Sequence, residues 1–129
     1  MKIGEFALCT GLSKDTIRYY EKINLLHPAL KNNQREYNEH HVEIVHIILQ
    51  LKQSGFLLHE INKLFELSQN TVHTRPLSDE EIDNVKQLKL LFQHKYEHMV
   101  QKEKEIQQIK QVLTNANHKI EQLLEKNNR

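Results

Sequence analysis

The sequence predicts a mostly α-helical protein with a small N-terminal unit and one long C-terminal helix. Only three glycines and two prolines interrupt the 129 residues, so long helices are expected. Two short apolar patterns on either side of Gly11 predict two helices joined by a tight turn. After residue 77 neither glycine nor proline occurs, and apolar residues recur at heptad spacing over more than five heptads.

The first helix and its end are marked by local signals. Ile3, Phe6 and Ala7 form an apolar stripe at helical spacing. Gly11 is the natural left-handed residue after a helix that ends near Thr10. Cys9 lies in this helix beside the predicted core, and we interpret it as a small buried hydrophobic residue.

The next helix, which follows Leu12, has two contrasting faces. Thr16, Ile17 and Tyr20 are spaced so that one face can be buried. The opposite face carries the groups suited to phosphate oxygens and base edges, namely Lys14, Asp15, Arg18 and Tyr19. Helix, tight glycine turn and helix form the helix-turn-helix arrangement, in which the second helix reads DNA.

A β-hairpin is predicted after this pair of helices. The pattern breaks before Pro28, and residues 31–34 form a polar turn between short extended segments. Arg35 and Tyr37 follow on the second arm, two residues apart and therefore on the same side. Such a hairpin would be the wing of a winged helix-turn-helix domain, with Lys31 able to reach phosphate.

The N-terminal half resembles the DNA-binding domain of the MerR family of bacterial transcription regulators. The resemblance covers roughly residues 1 to 67. It is carried by Ile3-Gly4-Glu5-Phe6-Ala7, Gly11-Leu12-Ser13, Thr16-Ile17-Arg18-Tyr19-Tyr20-Glu21, Leu25-Leu26, Arg35-x-Tyr37, Gly55-Phe56 and Glu60-Ile61.

The resemblance implies a two-fold homodimer that bends and untwists promoter DNA so that RNA polymerase can engage it. It also implies a phosphate-contacting role for Arg35. Where the family usually has Gly-Tyr before this arginine, this chain has Asn33-Gln34. Asparagine tolerates positive φ, so the turn can survive, whereas the aromatic contact is lost. The predicted DNA-binding residues are Ser13, Lys14, Asp15, Arg18, Tyr19, Lys31, Arg35 and Tyr37.

The domain boundaries follow from the remaining patterns. Asn38 is suited to cap a third helix that runs up to Gly55, and a fourth passes through Ile61 and Phe65. We expect a DNA-binding domain over residues 1–70, a linker over 71–77 and a dimerisation helix over 78–129. Ser78 and Glu81 form a capping box at the start of that last helix.

The long helix predicts a partner helix, and the resemblance implies an antiparallel coiled coil with a second copy. With Val85 as position a, ten of twelve a and d positions are apolar, the exceptions being Lys95 and Lys102. Poor helix formers at residues 114–117 leave open a break that would fold the end of the chain back. The predicted dimerisation residues are Val85, Leu88, Phe92, Met99, Ile106, Ile109 and Leu113.

Composition bounds the function classes. The single cysteine fits a reducing compartment, and the absence of a long apolar run or signal peptide predicts a cytoplasmic protein without a membrane anchor. A net charge of only +1 means that DNA affinity would depend on a few well-placed contacts. No phosphate loop, nucleophile elbow or paired carboxylate motif occurs, so we do not expect an enzyme.

We therefore predict a sequence-specific transcription regulator that binds double-stranded DNA as a homodimer and needs no cofactor. Two alternatives stay open. One is a coiled-coil adaptor whose N-terminal helices bind protein. The other is a histidine-based metal-responsive regulator, because His94 and His98 have the i, i+4 spacing of a chelating pair and His40 and His41 are adjacent. Sequence does not identify an inducing signal.

Overall fold

The computed structural model describes residues 1–69 and 76–128. Its elements follow one another in the order that the sequence predicts, with five helices and one short hairpin in the described part of the chain. They are α1 (Ile3–Thr10), α2 (Lys14–Lys22), β1 (Ala29–Lys31), β2 (Gln34–Glu36), α3 (Glu39–Gln53), α4 (Leu58–Gln69) and α5 (Asp79–Asn127). The chain divides into two units, Met1–Thr74 and Arg75–Arg129. The predicted linker over 71–77 lies mostly outside the described residues.

The first unit has its own hydrophobic core, which gathers side chains from α1, α2, α3, α4 and the segment around the hairpin. The rings of Phe6 and Tyr37 stack at its centre, with centroids 4.3 Å apart and planes 10° apart. Ile17 and Tyr20 are buried as predicted, whereas Thr16 is only partly buried. The core consists of Phe6, Ile17, Tyr20, Leu25, Leu26, Tyr37, Val45, Ile48 and Ile61.

The helix ends are set by the local signals expected from the sequence. Gly11 has a φ of 74° after α1, and its N–H donates to the Ala7 carbonyl. Asn38 caps α3, and Ser78 forms a capping box with Glu81 at the start of α5. These predictions are confirmed, because capping depends on residues only three or four positions apart.

The predicted wing is present as a two-stranded antiparallel hairpin in which Leu30 pairs with Arg35. Its turn residues Asn32 and Asn33 have φ angles of 55° and 61°. Two consecutive positive φ angles are what a type I′ hairpin turn requires, and asparagine tolerates them. The turn therefore survives the departure from the usual Gly-Tyr, as expected.

The second unit is one helix of 49 residues, which at 1.5 Å per residue is about 74 Å long. It passes through residues 114–117 without a break, so the open alternative of a folded-back end is not what the structure contains. Within the single chain no residue of α5 is buried. Among the described residues, no helix combines the length and the hydropathy needed to cross a lipid bilayer.

The prediction that Cys9 is buried is wrong, since the structure places it on the exposed side of α1. The helix faces the core through Phe6 and Thr10, with Ile3 and Ala7 partly buried beside them. Cys9 is about 100° around the helix from the direction these residues define. Nearness in sequence to a core residue does not place a side chain on the same helix face.

Candidate nucleic-acid interface

Helix α2 separates a packed face from a charged one. Ile17 and Tyr20 are in the core, while Lys14, Asp15, Arg18 and Tyr19 are exposed. The division follows from the helical period, because the core residues are three apart and the charged residues occupy the other side. A helix held in this way presents its polar side chains as one surface.

The N-terminal end of α2 is fixed by Ser13. The Thr16 N–H donates to the Ser13 hydroxyl oxygen at 3.1 Å, and the Ser13 hydroxyl donates to Thr16 Oγ1 at 2.9 Å. Ser13 stays exposed, but its hydroxyl already serves as the helix cap. At this end Lys14 and Asp15 therefore have the freer polar groups.

Arg18 lies one turn further along and is only weakly held. Its Nη1 donates to Asp15 Oδ1 at 3.3 Å, with the two side chains 60% and 97% exposed. An exposed pair of this kind contributes about 0–1 kcal/mol. Arg18 can therefore exchange Asp15 for a phosphate oxygen at little cost.

The wing is joined to α2 through Arg35, whose Nε donates to the Glu21 carboxylate. The hydrogen bond and the negative charge of Glu21 together raise the pKa of Arg35 above its usual value. Glu21 is the better buried partner, since 22% of its side chain is exposed against 53% for Arg35. The bridge connects two elements that are 14 residues apart in sequence.

The base of the hairpin is held by a second set of charges. Lys2 Nζ donates to Glu36 Oε2 at 2.9 Å, and the α-amino group of Met1 donates to Glu36 Oε1 at 3.1 Å. These hydrogen bonds lower the pKa of the Glu36 carboxyl below its usual value. The Tyr37 N–H also donates to the Met1 carbonyl at 2.7 Å, so the chain start and the second strand are tied together.

The predicted direct contact between Tyr37 and DNA is corrected by the structure. Strand β2 ends at Glu36, and the Tyr37 ring turns inward onto Phe6, leaving 1% of the residue exposed. Its hydroxyl is buried without a hydrogen-bond partner in the described part of the chain. Burial raises the pKa of Tyr37, and the nearby negative charge of Glu21 raises it further. Tyr37 supports the wing from inside.

A groove runs between α2 and the wing, and four of its eight lining residues are cationic. It brings together two of the predicted residues, Arg18 and Arg35, and adds Lys2 and Lys22. Glu21 is the one acidic residue of its lining, which also includes Ile3, Asn33 and Gln34. We call this feature the wing groove. Lys14, Asp15, Tyr19 and Lys31 are exposed but do not line it.

The contribution of Lys2 and Lys22 was not assigned from the sequence. Lys22 lies four residues after Arg18 on α2, which is the spacing of side chains on one helix face. That spacing was a usable signal. Lys2 lies before α1 and lines the groove while its Nζ donates to Glu36, 34 positions away, a contact that no local pattern contains.

The histidines do not form a recognisable metal centre in the described residues. Both ring nitrogens of His41 are engaged, Nδ1 by the Asn38 N–H at 3.0 Å and Nε2 with the His27 carbonyl at 3.1 Å. His41 is thus the capping-box residue of α3. Across residues 1–69 and 76–128, no group of three or more His, Cys, Asp or Glu side chains is placed to hold a metal ion.

The part of the chain that carries these residues matches a known protein family. Residues 1–68 match the family described as MerR HTH family regulatory protein. The mercuric resistance operon regulatory protein of Bacillus cereus is 38% identical over 65 residues, which are 49% of each chain. The transcriptional regulator CueR of Yersinia pestis is 36% identical over 72 residues, which are 54% of this chain and 52% of CueR.

The chain spans about half the length of these curated relatives. A crystal structure of a MerR family transcriptional regulator from Listeria monocytogenes covers 93% of this chain, and 83% of that chain is matched. Its TM-score is 0.55 at 20% identity, which supports the fold. The family match covers more than half of the 129 residues. The chain therefore belongs to the MerR family of helix-turn-helix regulatory proteins.

Proposed function

We propose that this protein is a sequence-specific, DNA-binding transcription regulator of the MerR type that acts in the cytoplasm. It binds a pseudo-palindromic promoter operator as a homodimer. In line with its family, it distorts the spacer DNA so that RNA polymerase can engage the promoter. The supporting observation is the wing groove, where cations from α2, the wing and the chain start line one depression.

The wing groove suits a phosphate backbone in both charge and geometry. Arg18 and Arg35 come from different elements and supply guanidinium groups, which match phosphate oxygens well. Lys2 and Lys22 add positive charge along the same depression. Phosphate contacts on each side of α2 would fix the position of this helix along the DNA. The residues at the N-terminal end of α2 could then reach base edges.

The second unit supports a two-fold assembly. Its apolar stripe is exposed in the single chain, with Val85 46%, Ile106 56% and Leu113 57% exposed. An apolar heptad stripe of this length is stable in water only against another helix. A second copy of α5 supplies an identical stripe, and two-fold symmetry would match the two halves of a pseudo-palindrome.

Sequence choice would then depend partly on DNA deformation. A dimer that bends and untwists the spacer favours sequences that deform easily, including base pairs that it does not touch. This suits a chain whose net charge of +1 offers little general attraction for DNA.

The metal-responsive alternative gains no support from the described residues. One relative is named for mercuric resistance. Within these 129 residues, however, the one cysteine is Cys9, which is exposed on α1. A thiolate-rich centre needs more than one such ligand. His41, one of the paired histidines, is already used to cap α3.

Selection of genomic fragments with the purified full chain tests the proposal. We expect enrichment of a promoter fragment that contains an inverted repeat, and failure to enrich any duplex would contradict DNA binding. In a salt titration on that fragment, each lost phosphate contact lowers the slope of log K against log salt by about 0.9. A homodimer contains two Arg18 side chains, so Arg18→Ala should lower the magnitude of this slope by about two.

The matched control is Lys104→Ala, which also removes one positive charge but lies on an exposed face of α5. Its slope should stay that of the wild type. An unchanged slope for Arg18→Ala would remove Arg18 from the interface.

A further inference from the structure

Glu21 is an unexpected residue in the wing groove. The groove would face a polyanion, and four of its lining side chains are cationic. A carboxylate at this place repels phosphate, so on charge alone its removal should strengthen DNA binding. The structure suggests a reason for its presence, which is its contact with Arg35.

The contact uses one edge of the Arg35 guanidinium. Glu21 Oε1 accepts from Nε, and within the described residues Nη1 and Nη2 have no protein partner. Because the guanidinium is planar and rigid, fixing Nε also fixes the direction in which the two Nη groups point. Those two groups suffice for the paired hydrogen bonds that guanidinium makes with phosphate.

The hairpin is held at its base through Glu36, and the Glu21 bridge gives it a second anchor at Arg35. Each strand has three residues, and both are largely exposed. An isolated two-stranded hairpin is marginally stable at best in water. Glu21, by contrast, lies on α2, and the preceding residue of that helix, Tyr20, is 1% exposed in the core. The bridge thus fastens a weakly held strand to a firmly held helix.

We propose that Glu21 is a positioning residue that orients Arg35 and the wing for phosphate, so that its acidic side chain strengthens DNA binding. This inference rests on the proposed function. Two effects of opposite sign compete when Glu21 is replaced. The lost negative charge favours binding, whereas the Arg35 side chain, no longer fixed by Glu21, must be ordered when DNA arrives.

We expect the ordering effect to dominate. Immobilising one long side chain weakens association by roughly twofold to tenfold, and a homodimer contains two such sites. The gain from the removed charge is small, because Arg35 is 53% exposed and water and salt screen the repulsion between Glu21 and phosphate.

The experiment compares Glu21→Gln and Glu21→Ala with the wild type. Binding of the full chain to a fluorescein-labelled 30-base-pair random duplex is followed by anisotropy at several salt concentrations. The glutamine side chain can still accept a hydrogen bond from Arg35 Nε. The Glu21→Gln protein should therefore bind DNA more weakly than the wild type and more tightly than the Glu21→Ala protein. Glu43→Gln on α3 is the charge-matched control, because it removes one exposed carboxylate and should not weaken binding.

A second comparison isolates the pair. In an Arg35→Ala background, Glu21→Gln should no longer weaken binding, because there is no guanidinium left to orient. The ¹⁵N spectrum of the arginine side chains gives a readout independent of affinity. The Nε–H of Arg35 should be protected from exchange in the free wild type and in the complex, and exposed in Glu21→Ala.

Equal or tighter binding by both Glu21 variants, with normal binding by the wild type, would overturn the inference alone. Loss of Nε–H protection when duplex is added to the wild type would also overturn it. If the wild type binds neither this duplex nor any selected fragment, the proposed function fails and takes this inference with it.

Discussion

Replacing Gly11 with alanine isolates the backbone requirement of the turn between α1 and α2. Gly11 has a φ of 74°, and a Cβ built there would meet no atom within 4 Å. The cost of the substitution is therefore conformational and not steric. The left-handed region costs a residue with a Cβ about 1–2 kcal/mol. Alanine also lowers the conformational entropy of the unfolded chain, which stabilises the folded state by about 0.4–1 kcal/mol. We expect a net loss of about 1 kcal/mol.

Gly4→Ala is the matched comparison, since Gly4 lies within α1 and Gly11 directly follows the same helix. Gly4 lies inside α1, and its added Cβ would meet Lys14 Cε at an ordinary 3.9 Å. Alanine favours helix over glycine, so this variant should gain about 0.5 kcal/mol. The two substitutions should therefore change stability in opposite directions.

Urea unfolding of the full chain at one protein concentration measures both changes. With a slope of about 1–3 kcal/mol per molar urea, the midpoint of Gly11→Ala should fall by about 0.3–1 M. Gly11→Asn should lose much less, because asparagine tolerates this conformation. A Gly11→Ala midpoint equal to the wild type would refute the argument from φ. An equal loss in Gly4→Ala would show that the turn conformation is not the cause.

Three further outcomes are expected. Tyr37→Phe removes a buried hydroxyl without a hydrogen-bond partner, so DNA affinity should not change and stability should stay constant or rise by up to about 1 kcal/mol. Because burial raises the pKa of Tyr37, this variant should also lose less stability than the wild type above about pH 10, and weaker DNA binding would contradict its interior role. Glu36→Gln should flatten the acid side of the melting-temperature profile. The lowered pKa of Glu36 gives stability that is present above its usual value of 4.5 and lost as the pH falls below it. An identical profile would therefore rule out the contacts of Glu36 with Lys2 and the Met1 amino group as the source of that stability. Ile106→Glu places a charge in the apolar stripe and should yield monomers in sedimentation equilibrium, whereas Gln107→Glu should stay dimeric.

The parts of the fold that were predictable depend on short-range chemistry. The end of α1 at Gly11 and the caps at Asn38 and Ser78 require residues at most four positions apart, which a sequence displays directly. The heptad stripe is likewise a periodic property of one helix. The turn at Asn32 and Asn33 followed from the tolerance of asparagine for positive φ.

The burial of Cys9 is an error about a helix face, whereas the others concern which neighbour a side chain meets across the fold. Strand alternation predicts that Tyr37 lies on the same face as Arg35, but β2 ends before Tyr37 and its ring stacks on Phe6, 31 positions earlier. The pairing of Arg35 with Glu21 spans 14 positions. Both contacts exist only after helix and hairpin have packed together, so no local pattern contains them.

The unequal burial of the two units has a consequence for how the protein responds to dilution. The first unit buries its core within one chain, whereas α5 alone buries no residue. In the proposed homodimer, loss of the partner on dilution would therefore unfold the long helix while leaving the first unit folded, and heating a dilute sample should produce two separate transitions. The concentration of this protein in the cell would then set the fraction of chains that are dimeric and can bind both half-sites of the proposed operator at once.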